Sequence, residues 1–253
     1  PDLSGTRTSL GLVAAEALGL DISDVKVAIA NTDAVAYSDA SAGDRITYIA
    51  SIAVGRACDS LIEAMKVRVA SEFDTSPEHI GYSENRFSAS GVPEMSVSWD
   101  DMALRSVRGD GALSAGGAAS EMPDGAAIAP NATAHVVDVE VDPETGKVDL
   151  LRYTTFQDAG LAVNPAQVEG QMQGGATQGI GWALSEEYNY DDSGVLQNAS
   201  LLDYRLQTSA DVPFIDAEII EIPSEAHPLG IRAVGQAPIV PPAGAIGNAI
   251  YNA

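Results

Sequence analysis

A run of glycines and glutamines at residues 164–184 restricts the possible fold more than any other feature of the sequence. The run reads NPAQVEGQMQGGATQGIGWAL, and Asn164-Pro165 is a typical opening of a helix. Each glycine inside a helix costs about 1 kcal/mol relative to alanine. The run and the turn before it hold six, at positions 160, 170, 174, 175, 179 and 181. This density predicts either a tight helix-packing seam or a backbone that approaches a ligand closely.

The same run contains four glutamines, at positions 167, 171, 173 and 178. A glutamine side chain offers two hydrogen-bond donors and an acceptor without a charge. This composition suits a ligand with many hydrogen-bonding groups better than a simple ion, so a cofactor cradle and a packing seam both remain open at this point.

The composition excludes several classes of protein. The chain has 253 residues, a hydrophobic share of 45% and a net charge of −23. Such an acidic chain repels nucleic acid and anionic membranes, and no apolar stretch reaches the length of a membrane-spanning helix. The acidic residues are spread along the chain, which indicates a solvated surface, and adaptation to high salt is one hypothesis for them. We expect a cytoplasmic protein.

Strand and helix patterns alternate irregularly. Helical periodicity predicts helices at 9–18, 47–71, 164–187 and 241–253, and alternation predicts strands at 24–30, 134–141, 147–156 and 217–222. Residues 80–99 resemble a hairpin, and the turn Asp142-Pro143-Glu144-Thr145-Gly146 joins two antiparallel strands. These elements predict an α+β fold with mixed sheets and packed helices.

The domain organisation follows from composition. Residues 109–130 are rich in Gly, Ala and Ser and lack periodicity, which is typical of a flexible connection. We therefore predict a first α+β subdomain at 1–108 and a second at 131–253, which carries the glycine- and glutamine-rich segment.

Classical catalytic and metal-binding motifs are missing from the sequence. The three histidines lie far apart at positions 79, 135 and 227, so we expect no histidine-based metal site. The lone Cys58 excludes a cysteine-ligated cluster within this sequence and predicts a buried small residue. No nucleophile elbow or P-loop is present.

A second segment, PLGIRAVGQAPIVPPAGAIGNAIY at 228–251, combines with the glycine-rich run into a recognisable order of motifs. Gly5-Thr6-Arg7-Thr8, Asn31-Thr32-Asp33, Ala42-Gly43-Asp44-Arg45 and VEVDPETGKVDLLRYTTFQDAG precede them. Together these motifs resemble the molybdopterin-binding large subunit of the xanthine dehydrogenase and aldehyde oxidase family of molybdenum hydroxylases. The resemblance starts inside a motif and ends inside the last helix, so we expect an excised domain or one half of a split large subunit.

The resemblance implies a cofactor-binding role for three short segments. In that family the pterin holds the molybdenum, so no protein residue need ligate the metal. The matching residues here are Gly5 and Thr6, Gly43 and Asp44, and Gln178 and Gly179. For each glycine, packing or turn formation is the alternative role.

The resemblance also implies a position for the general base, which the family places as a glutamate in a GxGE turn. The matching turn here is Ala233-Val234-Gly235-Gln236, so Gln236 stands in place of the carboxylate. An amide cannot accept a proton at useful pH, and the loss of a general base typically lowers the rate by about 10²–10⁴-fold. Ser4 and Asp44 also differ from the family, which usually has Gln and often Ser there.

Two acidic residues near the motifs are candidates for a replacement carboxylate. Glu169 precedes Gly170-Gln171, and Asp158 precedes the Ala159-Gly160 turn. For both, a structural role through capping or loop hydrogen bonds is the alternative.

The resemblance implies a function with several partners. It is the hydroxylation of an aldehyde or N-heterocycle with water as the oxygen source, using molybdenum-molybdopterin or its cytosine dinucleotide form. The partners are the N-terminal half of the large subunit and the domains or subunits that carry [2Fe–2S] and FAD. The fragment alone should be inactive. The alternative is a non-catalytic relative that serves as a cofactor-binding or assembly module, because Gln236 replaces the usual base.

Overall fold

The computed structural model describes residues 4–28, 33, 41–109, 111–119 and 131–253. The chain forms two compact units: Pro1–Ala40 with Ile46–Met122, and Ser41–Arg45 with Pro123–Ala253. The short segment Ser41–Arg45 thus belongs to the second unit, although the rest of that unit begins only at Pro123. The boundaries that we predicted for the two subdomains and their connection stay a prediction.

The first unit contains three helices and a small sheet within the described residues. The helices are α1 (Thr6–Leu18), α2 (Arg45–Glu72, of which Arg45 belongs to the second unit) and α3 (Trp99–Arg108). The antiparallel sheet has the order β1 (Ile80–Ser83), β2 (Arg86–Ala89), β3 (Val92–Ser98). Where we predicted one hairpin at 80–99, there are three strands, because the chain turns at Glu84-Asn85 and again at Ser90-Gly91. α3 follows, and Ser98 caps it by accepting a hydrogen bond from Asp101 N–H.

The core of the first unit lies between the sheet and the helices. Val69 of α2 and Phe87 of β2 have no exposed surface, and Trp99 stacks on Phe87 with ring centroids 5.9 Å apart. Cys58 is buried in this core, as the sequence predicted for a lone cysteine.

One predicted strand is wrong over its described part. Residues 24–28 of the predicted strand 24–30 form no strand, and residues 29–30 lie outside the described residues. Instead, Asp21 accepts a hydrogen bond from Ser23 N–H and opens a 3₁₀ turn at Ile22–Asp24. This local side-chain hydrogen bond competes with strand formation, and no strand among the described residues pairs with residues 24–28 to counteract it.

The second unit is built on a mixed sheet of β4 (Thr133–Val141), β5 (Val148–Asp158) and β6 (Ile215–Ile220). β4 pairs antiparallel with β5, and β6 pairs parallel with β5. The turn at 142–146 joins β4 and β5 as predicted, with Asp142 accepting from Glu144 N–H and Gly146 at φ 73°. The two sheets and their packed helices confirm the α+β prediction.

Two helices pack on this sheet, α4 (Pro165–Leu184) and α5 (Pro241–Asn252). Asn164 caps α4 by accepting a hydrogen bond from Gln167 N–H, and Pro165 occupies the first turn. The core between the helices and the sheet includes Tyr153, Ile180 and Ile246, none with exposed surface. No helix within the described residues is both long enough and apolar enough to span a bilayer.

Candidate functional site

The turn at 233–236, which the sequence singled out, is fastened to the mixed sheet by two side-chain amides. Asn131 Nδ2 donates to the carbonyl of Ala233 at 2.7 Å. Gln157 Nε2, at the end of β5, donates to the carbonyls of Val234 at 3.0 Å and Ala233 at 3.4 Å. Both peptide oxygens of the turn are thereby satisfied by neutral donors, which fixes the direction in which the next residues leave the sheet.

Asp44 holds the other end of the same turn. Its Oδ2 accepts a hydrogen bond from the backbone N–H of Gln236 at 2.6 Å, although 192 positions separate the two residues in the chain. Asp44 and Gly43 both have left-handed backbones, at φ 57° and 68°. Asparagine and aspartate tolerate this conformation better than most residues. Two residues that we predicted for the site from separate motifs, Asp44 and Gln236, are therefore in direct contact.

Gly235 allows this contact to form. A β-carbon at position 235 would lie 2.9 Å from Asp44 Oδ1 and 3.3 Å from Gln171 Oε1, so a larger residue would displace both groups. The carboxylate of Asp44 and the side-chain oxygen of Gln171, on α4, face the same α-carbon. Asp44, Gln171, Gly235 and Gln236 form one constellation, which we call the 235 site.

Gln157 leaves one polar atom without a partner beside this turn. Its Oε1 is buried and has no hydrogen-bond donor within the described residues. Turning the amide over would bring this oxygen against the two carbonyls that Nε2 now serves, which would leave the pairing worse. A buried acceptor without a donor costs about 1–3 kcal/mol, so the group marks a place that a bound donor would stabilise.

The structure gives Gly179 a packing role. Gly175 and Gly179 lie one turn apart on α4 and face Pro238 and Pro242. An added β-carbon would lie 2.8 Å from Pro238 Cβ or 2.5 Å from Pro242 Cγ. This is the helix-packing seam that the sequence left open as an alternative. The neighbouring Gln178 is exposed on α4, and its predicted contact with a cofactor stays a prediction.

Gly43, in contrast, has no atom of the described residues within 4 Å of the position of a β-carbon. Gly5 and Thr6 belong to the first unit, where Gly5 has φ 77° and precedes α1, and Thr6 is buried. Their predicted role in cofactor binding stays a prediction.

The two candidate replacement carboxylates have different surroundings. Asp158 forms an ion pair with Arg232, with Asp158 Oδ2 and Arg232 Nε 3.0 Å apart and both side chains largely buried. Its Oδ1 accepts from the N–H groups of Gly160 and Ile222. Both oxygens are used in holding loops together, which confirms the structural alternative for Asp158. Glu169 is exposed on α4.

Sequence reasoning missed the roles of Gln157 and Asn131 and did not separate Gln171 from the other glutamines. Gln157 could have been found from the sequence, because an amide on a strand that packs into a core needs a buried hydrogen-bond partner. Asn131 lies outside the motifs, and only the fold brings it to residue 233.

Comparison with known proteins identifies the family of this chain. A family model described as the molybdopterin cofactor-binding domain matches residues 4–213. The chain belongs to this family. The match includes Asp44 and Gln171 of the 235 site and ends before Gly235 and Gln236.

Curated relatives match this domain over nearly its whole length. The large subunit of nicotine 6-hydroxylase from Paenarthrobacter nicotinovorans is 30% identical over 98% of this chain and 31% of its own length. The putative xanthine dehydrogenase molybdenum-binding subunit of Escherichia coli is 32% identical over 97% of this chain and 33% of its own. The chain thus spans about a third of these relatives. They do not favour the alternative of a non-catalytic module.

Solved structures show the same fold. Reconstituted CO dehydrogenase from Oligotropha carboxidovorans superposes with a TM-score of 0.86 at 25% identity, over 100% of this chain and 32% of that one. Quinoline 2-oxidoreductase from Pseudomonas putida 86 gives a TM-score of 0.81 at 27% identity, over 97% of this chain and 32% of that one.

The residues of the 235 site and the neighbouring Gln157 fit part of a molybdopterin group. Gln171 Oε1, Gln157 Oε1 and Asp44 Oδ1 are acceptors, which suit the N–H donors of a heterocycle. An anionic phosphate would be repelled at Asp44. Within the described ranges, no group of three or more His, Cys, Asp or Glu side chains is placed to hold a metal ion.

Proposed function

We propose that this chain is the cofactor-binding part of a molybdenum hydroxylase that hydroxylates an aldehyde or an N-heterocycle with water as the oxygen source. The observation that carries the proposal is the 235 site. It gathers residues from three distant parts of a chain whose family binds molybdopterin. The names of two relatives, nicotine 6-hydroxylase and xanthine dehydrogenase, support a nitrogen heterocycle as the substrate class.

In this proposal the residues of the site bind and orient. The bound cofactor supplies the two-electron redox chemistry. Gln171 and Gln157 offer acceptors to its N–H groups, while the exposed side chain of Gln236 can donate to a substrate carbonyl or ring nitrogen. Asn131 and Gln157 keep the 233–236 turn in place, so that Gln236 is presented at a fixed angle.

We also propose that the cofactor is molybdopterin or its cytosine dinucleotide, and that [2Fe–2S] and FAD reside on partner domains or subunits. The parent enzyme works in the cytoplasm. The remaining part of the large subunit covers the loop between α4 and β6, whose large apolar side chains are exposed.

We expect an assembly contact at that loop because hydrogen bonds hold the loop in place while its apolar side chains remain exposed. Asn198 accepts from Asn189 N–H at 2.9 Å and donates to Glu187 O at 2.7 Å, and Tyr204 donates to Glu186 at 2.8 Å. Leu201 and Leu202 nevertheless keep 79% and 91% of their surface exposed. Apolar side chains held outward by a fixed loop are typical of a contact surface.

The test is the molybdenum and pterin content of the protein produced with its native upstream half and partner subunits. A host that loads a related hydroxylase serves as the positive control. We expect about one molybdenum and one pterin per chain. Metal-free and pterin-free protein from that host would overturn the proposal.

A further inference from the structure

We propose that Asp44 supplies the carboxylate of the 235 site and acts there as the proton acceptor, in place of the neutral Gln236. This inference rests on the proposed function and names a residue of the same site. It differs from the two candidates of the sequence analysis, since Asp158 is committed to Arg232 and Glu169 is exposed on α4.

The position of the Asp44 carboxylate supports this role. Oδ2 of Asp44 is bound to Gln236 N–H at 2.6 Å, so the carboxyl group lies directly on the turn that carries Gln236. Oδ1 faces the α-carbon of Gly235 and has no hydrogen-bond partner among the described residues. One oxygen therefore fixes the group, and the other remains able to accept a proton.

The backbone of Asp44 also supports this role. A left-handed conformation is uncommon outside glycine, and aspartate adopts it more readily than most residues. Here it follows the left-handed Gly43, and the resulting turn directs the Asp44 side chain to residues 235 and 236. The side chain is partly exposed, so water and ligands can reach it.

The neutral side chain at position 236 also supports this role of Asp44. A glutamate there would place a second carboxylate on the residue whose N–H already binds Asp44. Two carboxylates that share a site cannot both ionise without a large penalty. A neutral glutamine at 236 and an aspartate at 44 leave the site with a single carboxylate, so we infer that the two residue identities depend on each other.

The proton transfer that this geometry supports is simple. The O–H bond of a water-derived hydroxyl breaks, its proton forms a new O–H bond at Asp44 Oδ1, and the electron pair of the broken bond stays on the hydroxyl oxygen. The N–H of Gln236 holds Oδ2 throughout. Gln171 Oε1 also faces Gly235 and can accept a hydrogen bond from an N–H group of the cofactor or the substrate.

The experiment compares four forms of the assembled enzyme: wild type, Asp44→Asn, Gln236→Glu and the double variant. Asparagine keeps an oxygen for the Gln236 N–H, so Asp44→Asn retains molybdenum and the fold. We expect its kcat to fall about 10²–10⁴-fold, the usual effect of a lost general base. Asp138→Asn, which removes a carboxylate from an exposed position on β4, should keep the wild-type kcat.

The second readout does not depend on activity. Gln236→Glu alone should lower the unfolding midpoint by about 2–4 °C, because it creates the paired carboxylates. Adding Asp44→Asn should restore the midpoint and part of kcat. Additive shifts in the midpoint, or a molybdenum-loaded Asp44→Asn enzyme with wild-type kcat, would overturn the inference. A wild-type enzyme without molybdenum would instead refute the proposed function, while the midpoints would still decide whether residues 44 and 236 are coupled.

Discussion

The α-carbon of Gly179 on α4 faces the ring of Pro242 at the start of α5, so closely that a β-carbon would lie 2.5 Å from Pro242 Cγ and 2.8 Å from the carbonyl oxygen of Ile239. Contacts of this length cannot persist, and a proline ring has little freedom to move away. The glycine run therefore serves helix packing over at least part of its length.

Replacing Gly179 with alanine should destabilise the second unit. Overpacking of a close contact typically costs about 1–3 kcal/mol, which exceeds the roughly 1 kcal/mol that alanine gains over glycine in a helix. Chemical unfolding of Gly179→Ala and of the wild type at one pH measures the difference in the free energy of unfolding.

Gly174→Ala is the matched control on the same helix. Nothing lies within 4 Å of a β-carbon at position 174, so this substitution should raise stability by roughly 0.5–1 kcal/mol. Equal effects at positions 174 and 179 would contradict the packing role of Gly179.

Several elements of the second unit form as predicted because their sequence signals are local. The Asp142–Gly146 turn and the Asn164-Pro165 opening of α4 each depend on a few adjacent residues, and both form as predicted. The α+β class followed from the same signals. The strand predicted at 24–30 was wrong over its described part, because a local hydrogen bond at Asp21 replaced the expected pairing.

The candidate site was harder to predict, because its contacts are distant in sequence. The motifs singled out Asp44 and Gln236 separately, and no pattern indicated that one binds the other's backbone. Gln157 and Asn131 were missed because their partners are carbonyls of residues 233 and 234, which become near only in the folded sheet. The sequence left Gly179 open between cofactor binding and helix packing, because glycine has the same sequence signature in both, and its predicted contact with the cofactor stays a prediction.

The ion pair between Asp158 and Arg232 should contribute strongly to stability. The two side chains are only 11% and 15% exposed, and Asp158 also accepts two backbone N–H groups. Breaking a buried pair by removing one partner typically costs about 3–5 kcal/mol. Asp158→Asn should therefore lower the free energy of unfolding by this amount, measured by denaturant titration.

Asp149→Asn provides the comparison with an exposed pair. Asp149 contacts Lys147 at 2.8 Å, but both side chains are more than half exposed, and such pairs contribute about 0–1 kcal/mol. If the two substitutions cost the same, Asp158 does not fasten the loops as the structure indicates.

His135 should make the stability of the second unit depend on pH. Its two ring nitrogens lie 2.8 Å from the hydroxyls of Tyr153 and Thr155, and burial lowers the pKa of His135 from 6.5 to about 4. Because the folded protein binds this proton less tightly than the unfolded chain, the contribution of His135 is complete above pH 6.5 and declines as the pH falls toward 4.

The measurement is the free energy of unfolding at several pH values between 4 and 7. In His135→Gln the decline over this window should be shallower by up to about 1.4 kcal/mol per pH unit. A His135→Gln slope equal to that of the wild type would show that the ring is readily protonated in the folded state.

The exposed leucines of the loop between α4 and β6 allow a test of assembly. Leu202 is 91% exposed, so Leu202→Ser removes almost no packing within the chain and should leave its unfolding midpoint unchanged. If the rest of the large subunit covers this loop, the substitution loses a buried leucine from the contact, worth roughly 1.5–3 kcal/mol. The affinity for the separately produced upstream half should then fall about 10–100-fold.

Val67→Ser, at an exposed apolar position on α2, is the control for a general loss of surface hydrophobicity. We expect this variant to bind the upstream half like the wild type. Comparable losses for both variants would mean that the affinity follows total exposed apolar surface. Full affinity of Leu202→Ser would place the contact elsewhere on the chain.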